Sequence, residues 1–503
     1  MPLDRHLCYD GCEQTISHAL ADVAGKDEIW MKQAFYKPED GWSGDYIPFY
    51  WEGKFRLFYL LDRHAPRGHL DGIAWHLVET RDFVHFDPKG VVVPFGTEDE
   101  QDRCVYTGSV LRAQNRFHLF YTGHNPLLRQ KGLPEQKVMH ALSDDLLHWE
   151  KTPAHTFEAA EGYEKHDWRD PFVFYDASDR LYHMLLAARL NRGAGPRRGC
   201  TAHLTSPDLI AWTAQAPLWA PESYYTHECP DLFRMGEWYY LIFSEFSDVN
   251  RTRYVMSRSL YGPWVAPQHD VFDTRPFYAA KSCTDGQKRY LFGWVSTRED
   301  ETDFSGFRWA GSLAVHELYQ LPGGELACRE PETVAAAWRK NASALAFEGA
   351  PAAGAAAARR EDGMAVCYSA QDLPGSFRLE ADMLFDAGTH SFGLLLRADP
   401  QADTAYALEF EPAAHRVEFK MKPRLNYRQF NDEGLSCVLD MEAGKPIHLS
   451  VTVDGSILVA YIDGRVAFSA RMYALRGGKL GLYSLHGGVS AQSVTVSTTM
   501  DDE

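Results

Sequence analysis

Long apolar runs are missing from this chain: no stretch of its 503 residues approaches the ~20 consecutive apolar residues of a membrane-spanning helix. The opening stretch, Met1-Pro-Leu-Asp-Arg-His-Leu-Cys8, has neither an apolar core nor a small-residue cleavage site, so no export signal is expected. A basic excess is missing too. Lys and Arg number 51 against 69 Asp and Glu, a net charge of -18, which excludes a protein that tracks phosphate backbones or anionic membrane surfaces. Paired cysteines are absent as well: the nine are odd in number and scattered without a C-x-x-C, against both a disulfide framework and a zinc site. There is no H-E-x-x-H, no P-loop and no G-x-G-x-x-G after a strand, so no metal or nucleotide cofactor is expected. The absences describe a soluble cytoplasmic protein, without nucleic-acid or membrane partners, that acts on a neutral, polyhydroxylated small molecule. They leave its oligomeric state open.

What is present is repetition. An apolar-aromatic strand recurs as Phe55-Arg-Leu-Phe-Tyr-Leu, Phe117-His-Leu-Phe-Tyr-Thr, Tyr182-His-Met-Leu-Leu-Ala, Tyr239-Tyr-Leu-Ile-Phe-Ser and Tyr290-Leu-Phe-Gly-Trp-Val, at intervals of 62, 65, 57 and 51 residues. Behind the first three comes a turn containing Asp82, Asp145 and Asp208, each 63 residues from the next, and Leu260–Trp264 is a degenerate fourth copy. Strand-rich units of this length are the mark of a propeller, in which each blade is a four-stranded sheet. Five copies predict an all-β fold with a five-bladed β-propeller over residues 1–330. A helical linker at 331–345 and a C-terminal β-sandwich at 346–503 follow. The stretch 349–358, rich in Ala, Gly and Pro, is expected to be a loop. Strict alternation at Leu449, Val451 and Val453, then Asp454-Gly455 and Asp463-Gly464, predicts the sandwich hairpins.

In a propeller, matching positions on the innermost strands face one central channel. Ten to twelve residues before each repeated strand stand Asp45, Thr107, Asp170, Glu228 and Tyr278, spaced by 62, 63, 58 and 50 residues in step with the repeat. Three carboxylates are thereby expected at one mouth. Arg169 precedes Asp170, and a proline follows closely in Asp170-Pro171 and Glu228-Cys229-Pro230, where a strand ladder loses a donor. Gly44 precedes Asp45, allowing close backbone approach. Glu39 and Asp40 lie in a turn sequence, Lys37-Pro-Glu-Asp-Gly-Trp42, and are not expected in the site.

Arg169-Asp-Pro171, Glu228-Cys-Pro230, Tyr106-Thr-Gly-Ser109, Ser143-Asp-Asp-Leu-Leu-His-Trp149, Phe277-Tyr-Ala-Ala280 and Trp309-Ala-Gly311 before His316-Glu-Leu318 resemble glycoside hydrolase family 32, the β-fructofuranosidases. The resemblance covers nearly the whole chain and implies the same propeller-plus-sandwich fold. It implies Asp45 as nucleophile, Glu228 as general acid/base, and Asp170, helped by Arg169, as a holder of sugar hydroxyls. The family's Asn-Asp-Pro-Asn-Gly reads Gly44-Asp-Tyr-Ile-Pro48 here, and its Gln after the Phe-Tyr pair is replaced by Leu60; both changes bear on which sugar is bound. A retaining mechanism needs two carboxyl groups ~5–5.5 Å apart, one attacking and one protonating the leaving oxygen. The implied activity is retaining release of fructose from a small sugar substrate such as sucrose or a short fructo-oligosaccharide. The rivals are an inverting arabinofuranosidase-like enzyme and a sugar-binding propeller without catalysis.

Trp42, Trp75, Trp294 and Trp309 are candidates to line the sugar pocket, with Arg169, Thr107 and Tyr278. The basic segment 192–198 reads as a solvated loop, the alternative being a loop that meets a phosphorylated or acidic aglycone. Tyr427 and Phe430 are expected to form a small aromatic platform on the sandwich.

Overall fold

The computed structural model describes residues 31–65, 68–423 and 430–500. Tyr427 lies outside them. Each of the five repeated apolar-aromatic segments is the second strand of a blade: Lys54–Asp62, Arg116–His124, Leu181–Leu190, Trp238–Phe246 and Arg289–Arg298. The innermost strands are Trp42–Trp51, Cys104–Ala113, Tyr163–Asp176, Thr226–Met235 and Phe277–Thr284, and each pairs antiparallel with its second strand. Two-residue turns join the first two strands of blades I and II. Their central pairs, Glu52-Gly53 and Gln114-Asn115, all have positive φ, the backbone twist that matches a strand pair. The ring closes where Gly311 of blade V pairs with Ser43 of blade I, and the Ser43 hydroxyl donates to the Gly311 carbonyl at 3.2 Å.

The repeated aspartates hold the corners of the first three blades. Asp82, Asp145 and Asp208 each accept two backbone N–H groups with one carboxylate oxygen, at 2.8–3.0 Å. Thr80, Ser143 and Ser206 each accept a further N–H at 2.9 Å. These bonds keep Phe83, Leu146 and Leu209 in the left-handed region, with φ of 65°, 68° and 67°, and all three side chains are buried. A large residue resists that conformation by itself. Burial of the ring or isobutyl group and the bonded corner hold it there.

The strand Leu326–Arg329 is followed by the helix Glu332–Arg339 and then by sandwich strands from Ser343 onward. The expected 349–358 loop is shorter, because a strand starts at Ala356 and pairs along Lys479–Ser497. The Asp463-Gly464 hairpin forms as read, with φ of 51° and 59°. Lys479–Ser497 pairs with Ser391–Asp399 through its first half and Phe377–Phe385 through its second, so one strand serves both layers.

The sandwich shares a core with the propeller. Phe272, Phe277, Leu326 and Cys328 pack in one apolar cluster with Ile457, Val459, Tyr461 and Ala467. A buried polar lock sits beside it: His316 bonds Asp273 at 3.1 Å and the Tyr461 hydroxyl at 2.9 Å, while Ser469 N donates to Asp273 at 2.6 Å. Arg471 donates to the carbonyls of Val295 and Ser296 at 2.8 and 3.1 Å. Phe430 is buried beneath Arg298, whose guanidinium lies 5.2 Å from its ring, so it belongs to this interface and is not an exposed platform.

Burial pushes the Asp145 carboxyl up, but the His148 side chain and the backbone donors outweigh it and hold it at about 2. Asp145→Ala is expected to cost about 1–2 kcal/mol by urea denaturation at pH 7. The exposed neighbour Asp144→Ala, which loses only its contact to Arg116, should cost less than about 0.5 kcal/mol. The Asp145 contribution is complete above the ordinary carboxyl value and falls away as pH drops toward 2. A fragment ending near residue 335 bares the shared core and is expected to aggregate; a monodisperse, active fragment in size-exclusion chromatography would contradict this.

Candidate active site

Every innermost strand carries one extra residue at a matching step of its register, and that of blade III has a second irregularity between Tyr163 and Trp168. Registers slip between Gly44 and Ile47, Tyr106 and Gly108, Arg169 and Phe172, Glu228 and Asp231, and Tyr278 and Lys281. These are β-bulges, and they aim side chains into the channel. Asp45, Asp170, Cys229 and Ala279 lie in them with φ of 46°, 59°, 52° and 51°. Pro171 and Pro230 fall inside two of the bulges, where no ladder donor is needed.

The register corrects the phase read from spacing. Asp45, Thr107 and Asp170 are equivalent to Cys229 and Ala279, whereas Glu228 and Tyr278 are equivalent to Gly44, Tyr106 and Arg169. Shortening of blade IV hid this one-residue offset. The site therefore has two tiers, with Glu228 one residue nearer the strand start than Asp45 and Asp170. Asp45 lies within the innermost strand of blade I.

Asp45, Asp170 and Glu228 line one cavity of about 720 Å³, together with Thr107, Arg169, Tyr278, Trp294 and Trp309. Trp294 Nε1 donates to Asp45 Oδ1 at 3.1 Å, and Thr107 Oγ1 donates to Oδ2 at 2.6 Å. Asp170 Oδ2 accepts Cys229 N at 2.9 Å, and Asp170 N donates to Thr122, whose hydroxyl donates to the Thr107 carbonyl. The Tyr278 hydroxyl donates to Glu228 Oε2 at 2.6 Å. Arg169 reaches Glu228 Oε1 and Asp167 Oδ1, both at 2.9 Å. The expected Arg169–Asp170 pairing is thus replaced by an Arg169–Glu228 pair.

Electrostatics separate the two ends. Burial, with like charge from Asp170 and Glu228, raises Asp45 to about 7 against the opposing bonds from Thr107 and Trp294. Burial also raises Glu228; Arg169 opposes it, Asp170 adds to it, and Tyr278 opposes it. A buried carboxyl with a perturbed pKa, set in a cleft among others, is the pattern of acid–base chemistry.

Two expected liners are elsewhere. Trp75 is fully buried in the core of blade I against Phe58, its Nε1 donating to the Tyr106 carbonyl. Trp42 is held between the Lys37 ammonium and the Arg471 guanidinium, and it does not line the cavity. Glu39 and Asp40 are exposed, with Asp40 paired to Arg63. A Cβ on Gly44 would lie 2.7 Å from the Trp309 ring, so glycine lets that indole close over the strand of Asp45.

Residues that spacing did not point to include His69, Tyr106 and His124. His69 Nδ1 bonds the Tyr106 hydroxyl at 2.6 Å, and His124 stacks on Tyr106 with centroids 4.6 Å apart. Burial lowers both imidazoles, His124 to about 4, so this wall is neutral. Tyr106 was visible as the neighbour of Thr107; the histidines come from loops and strand ends outside the repeat phase. Among the described residues, Asp176, Asp179 and His183 place ligand atoms together, but on a hairpin away from the cavity. Both ring nitrogens of His183 are already bonded, to Asp179 and His203.

Comparison with known proteins agrees with this arrangement. The model of the "Glycosyl hydrolases family 32 N-terminal domain" matches residues 35–324, and that of the "Glycosyl hydrolases family 32 C terminal" matches 359–498. The sucrose-6-phosphate hydrolase of Vibrio alginolyticus is 26% identical over 299 residues, covering 55% of this chain and 58% of its own. The levanbiose-producing levanase of Bacillus subtilis is 27% identical over 286 residues, 55% and 48% of the two chains. The alignments span about half the length of these curated relatives. By structure, sucrose-6-phosphate hydrolase from Lactobacillus gasseri superimposes with a TM-score of 0.72 at 19% identity, covering 94% of this chain and 93% of that one. Fructan 1-exohydrolase IIa from Cichorium intybus gives 0.71 at 16% identity, covering 94% and 99%. No helix among the described residues is long and apolar enough to cross a membrane. Two domain matches in order, over a bulged five-bladed ring and its sandwich, make this chain a member of glycoside hydrolase family 32.

Proposed function

We propose that this protein hydrolyses β-fructofuranosides with retention of configuration, releasing fructose from a small sugar. The observation that carries the reading is the division of labour between two buried carboxyls. Asp45 is held by two donors that favour its anion, and Glu228 lies one residue nearer the strand start, under Tyr278 and Arg169. The relatives named for sucrose 6-phosphate, levan and fructan point to the same bond.

In this mechanism the two carboxyls share one proton near neutral pH, and the productive microstate has Asp45 ionised and Glu228 protonated. Asp45 attacks the anomeric carbon through an oxocarbenium-like state while Glu228 gives its proton to the leaving oxygen. Arg169 and Tyr278 then stabilise the Glu228 carboxylate, which takes a proton from the water that releases fructose. Asp170, fixed through its backbone and side chain, accepts sugar hydroxyls. We also place the protein in the cytoplasm: the seven described cysteines are all free thiols, which supports a reducing compartment.

Asp45→Asn is expected to lower turnover of sucrose and of 4-nitrophenyl β-fructofuranoside alike, by more than about a thousandfold, while sugar binding persists in calorimetry. Mass spectrometry of a trapped intermediate should place the sugar on Asp45, and NMR should show β-fructofuranose as the first product. An inverted product would sink the reading.

Glu228→Gln should cost sucrose about 10²–10⁴-fold but spare the first step with the nitrophenyl substrate. The pH profile adds a signed test. With Asp45 near 7, the acid limb of kcat/KM should fall near neutrality. The basic limb belongs to loss of the Glu228 proton, so in Glu228→Gln the basic limb should disappear on the nitrophenyl substrate while the acid limb stays. A basic limb that persists in Glu228→Gln would remove Glu228 from the titration.

A further inference from the structure

Tyr225 and Phe246 line the same cavity, yet remain 38% and 44% exposed, unlike the aromatic rings of the blade cores. Both belong to blade IV, the blade of Glu228. Tyr225 immediately precedes the inner strand, and Phe246 ends the second strand, opposite Thr226. Their ring centroids are 6.1 Å apart, with planes at 68°. Tyr225 is backed by the Arg189 guanidinium, 3.5 Å from the ring centroid, and Arg189 is itself tied to Glu164 and Asp167. The pair is thus set in place by the protein alone, and nothing among the described residues covers it.

Its position relative to the acid says what it meets. A general acid touches the leaving oxygen, so the leaving group lies beside Glu228, and cavity residues earlier in the strand than Glu228 lie toward the mouth. Tyr225 is three residues earlier, with Phe246 beside it. An aromatic face packs against the C–H face of a sugar ring, and Asn250 also lines the cavity.

Charge around the rim discriminates further. Arg129 and Arg275 are engaged by Glu135 and Glu433, and Arg189 by its two carboxylates. Arg308 lines the cavity from the seam of blades V and I, where it donates to the His64 carbonyl. A phosphate leaving with the aglycone beside blade IV would meet Glu164, Asp167 and Glu228, whose guanidinium neighbours Arg198, Arg189 and Arg169 are already paired to them, while Arg308, bonded to a carbonyl rather than a carboxylate, stands at the seam of blades V and I. Burying a doubly charged group without a partner is costly.

We propose that Tyr225 and Phe246 form an aglycone platform that selects β-fructofuranosides whose leaving group is an uncharged sugar, and disfavours those whose leaving sugar is phosphorylated. This rests on the fructosidase reading above. An aromatic platform acts alike on bound substrate and transition state, so its loss raises KM more than it lowers kcat.

The test compares kcat/KM for sucrose, 1-kestose, sucrose 6-phosphate and methyl β-fructofuranoside, whose methyl group is too small to reach the platform. Sucrose should exceed sucrose 6-phosphate at least tenfold. Phe246→Ala should raise KM for 1-kestose about tenfold, lose several-fold less on the methyl glycoside, and be rescued by Phe246→Tyr. Tyr225→Ala should show the same split, with thermal melts confirming that each variant is folded. A preference for sucrose 6-phosphate, or equal losses of Phe246→Ala on 1-kestose and the methyl glycoside, would overturn the platform and leave the fructosidase reading standing. Turnover of none of the four would overturn both.

Discussion

One extra residue in each innermost strand is the constraint on which the site depends. A regular strand would alternate its side chains between the two faces of the blade. The bulge breaks that alternation at the same height in all five blades and puts consecutive residues within reach of the channel. Arg169 and Asp170 line the cavity side by side for this reason, as do Tyr106 with Thr107 and Glu228 with Cys229. The left-handed backbone at Asp45 and Asp170 is sterically sparse for most side chains but tolerated by aspartate. Backbone conformation and chemistry thus select the same residue type at those two positions.

The second consequence is electrostatic. Three carboxylates share one poorly solvated chamber with a single central guanidinium, and Arg169 spends its two ends on Asp167 and Glu228. Asp45 has neutral donors instead, Thr107 and Trp294, from blades II and V. Charge compensation at one acid and dipolar solvation at the other tune two buried carboxyls by different means.

The blade count, the sandwich and the three acids were legible in the sequence because repeat spacing and turn chemistry are local signals. Asp82, Asp145 and Asp208 recur 63 residues apart, and each does the same work at its corner. The tier structure was not legible. The repeat shortens on reaching blade IV, so the reduced spacing at Glu228 disguised a one-residue shift that only pairing with Ser244 reveals. The same limit explains Trp75 and Trp42. An indole in a strand suits a sugar pocket or a core equally, and only the neighbours, Phe58 in one case and Lys37 with Arg471 in the other, decide. His69 and His124 lacked any periodic mark, and Phe430 was read as exposed because its surroundings are polar in sequence, while in space it meets Tyr406 and Phe419 under the Arg298 guanidinium.

The hydrogen bond from Trp294 to Asp45 spans 249 residues of chain. Few contacts in the molecule close so large a loop, and contacts of that separation form late, after local hairpins have condensed. A nascent chain therefore carries its corner turns and early blades long before Asp45 acquires the indole donor that holds its anion. Even then, the strand bearing Trp294 awaits Arg471, which fastens the next two carbonyls from the far domain. The chemistry of the first blade is thus completed from elements that follow it in the chain, and the nucleophile's surroundings depend on the sandwich as well as on the ring.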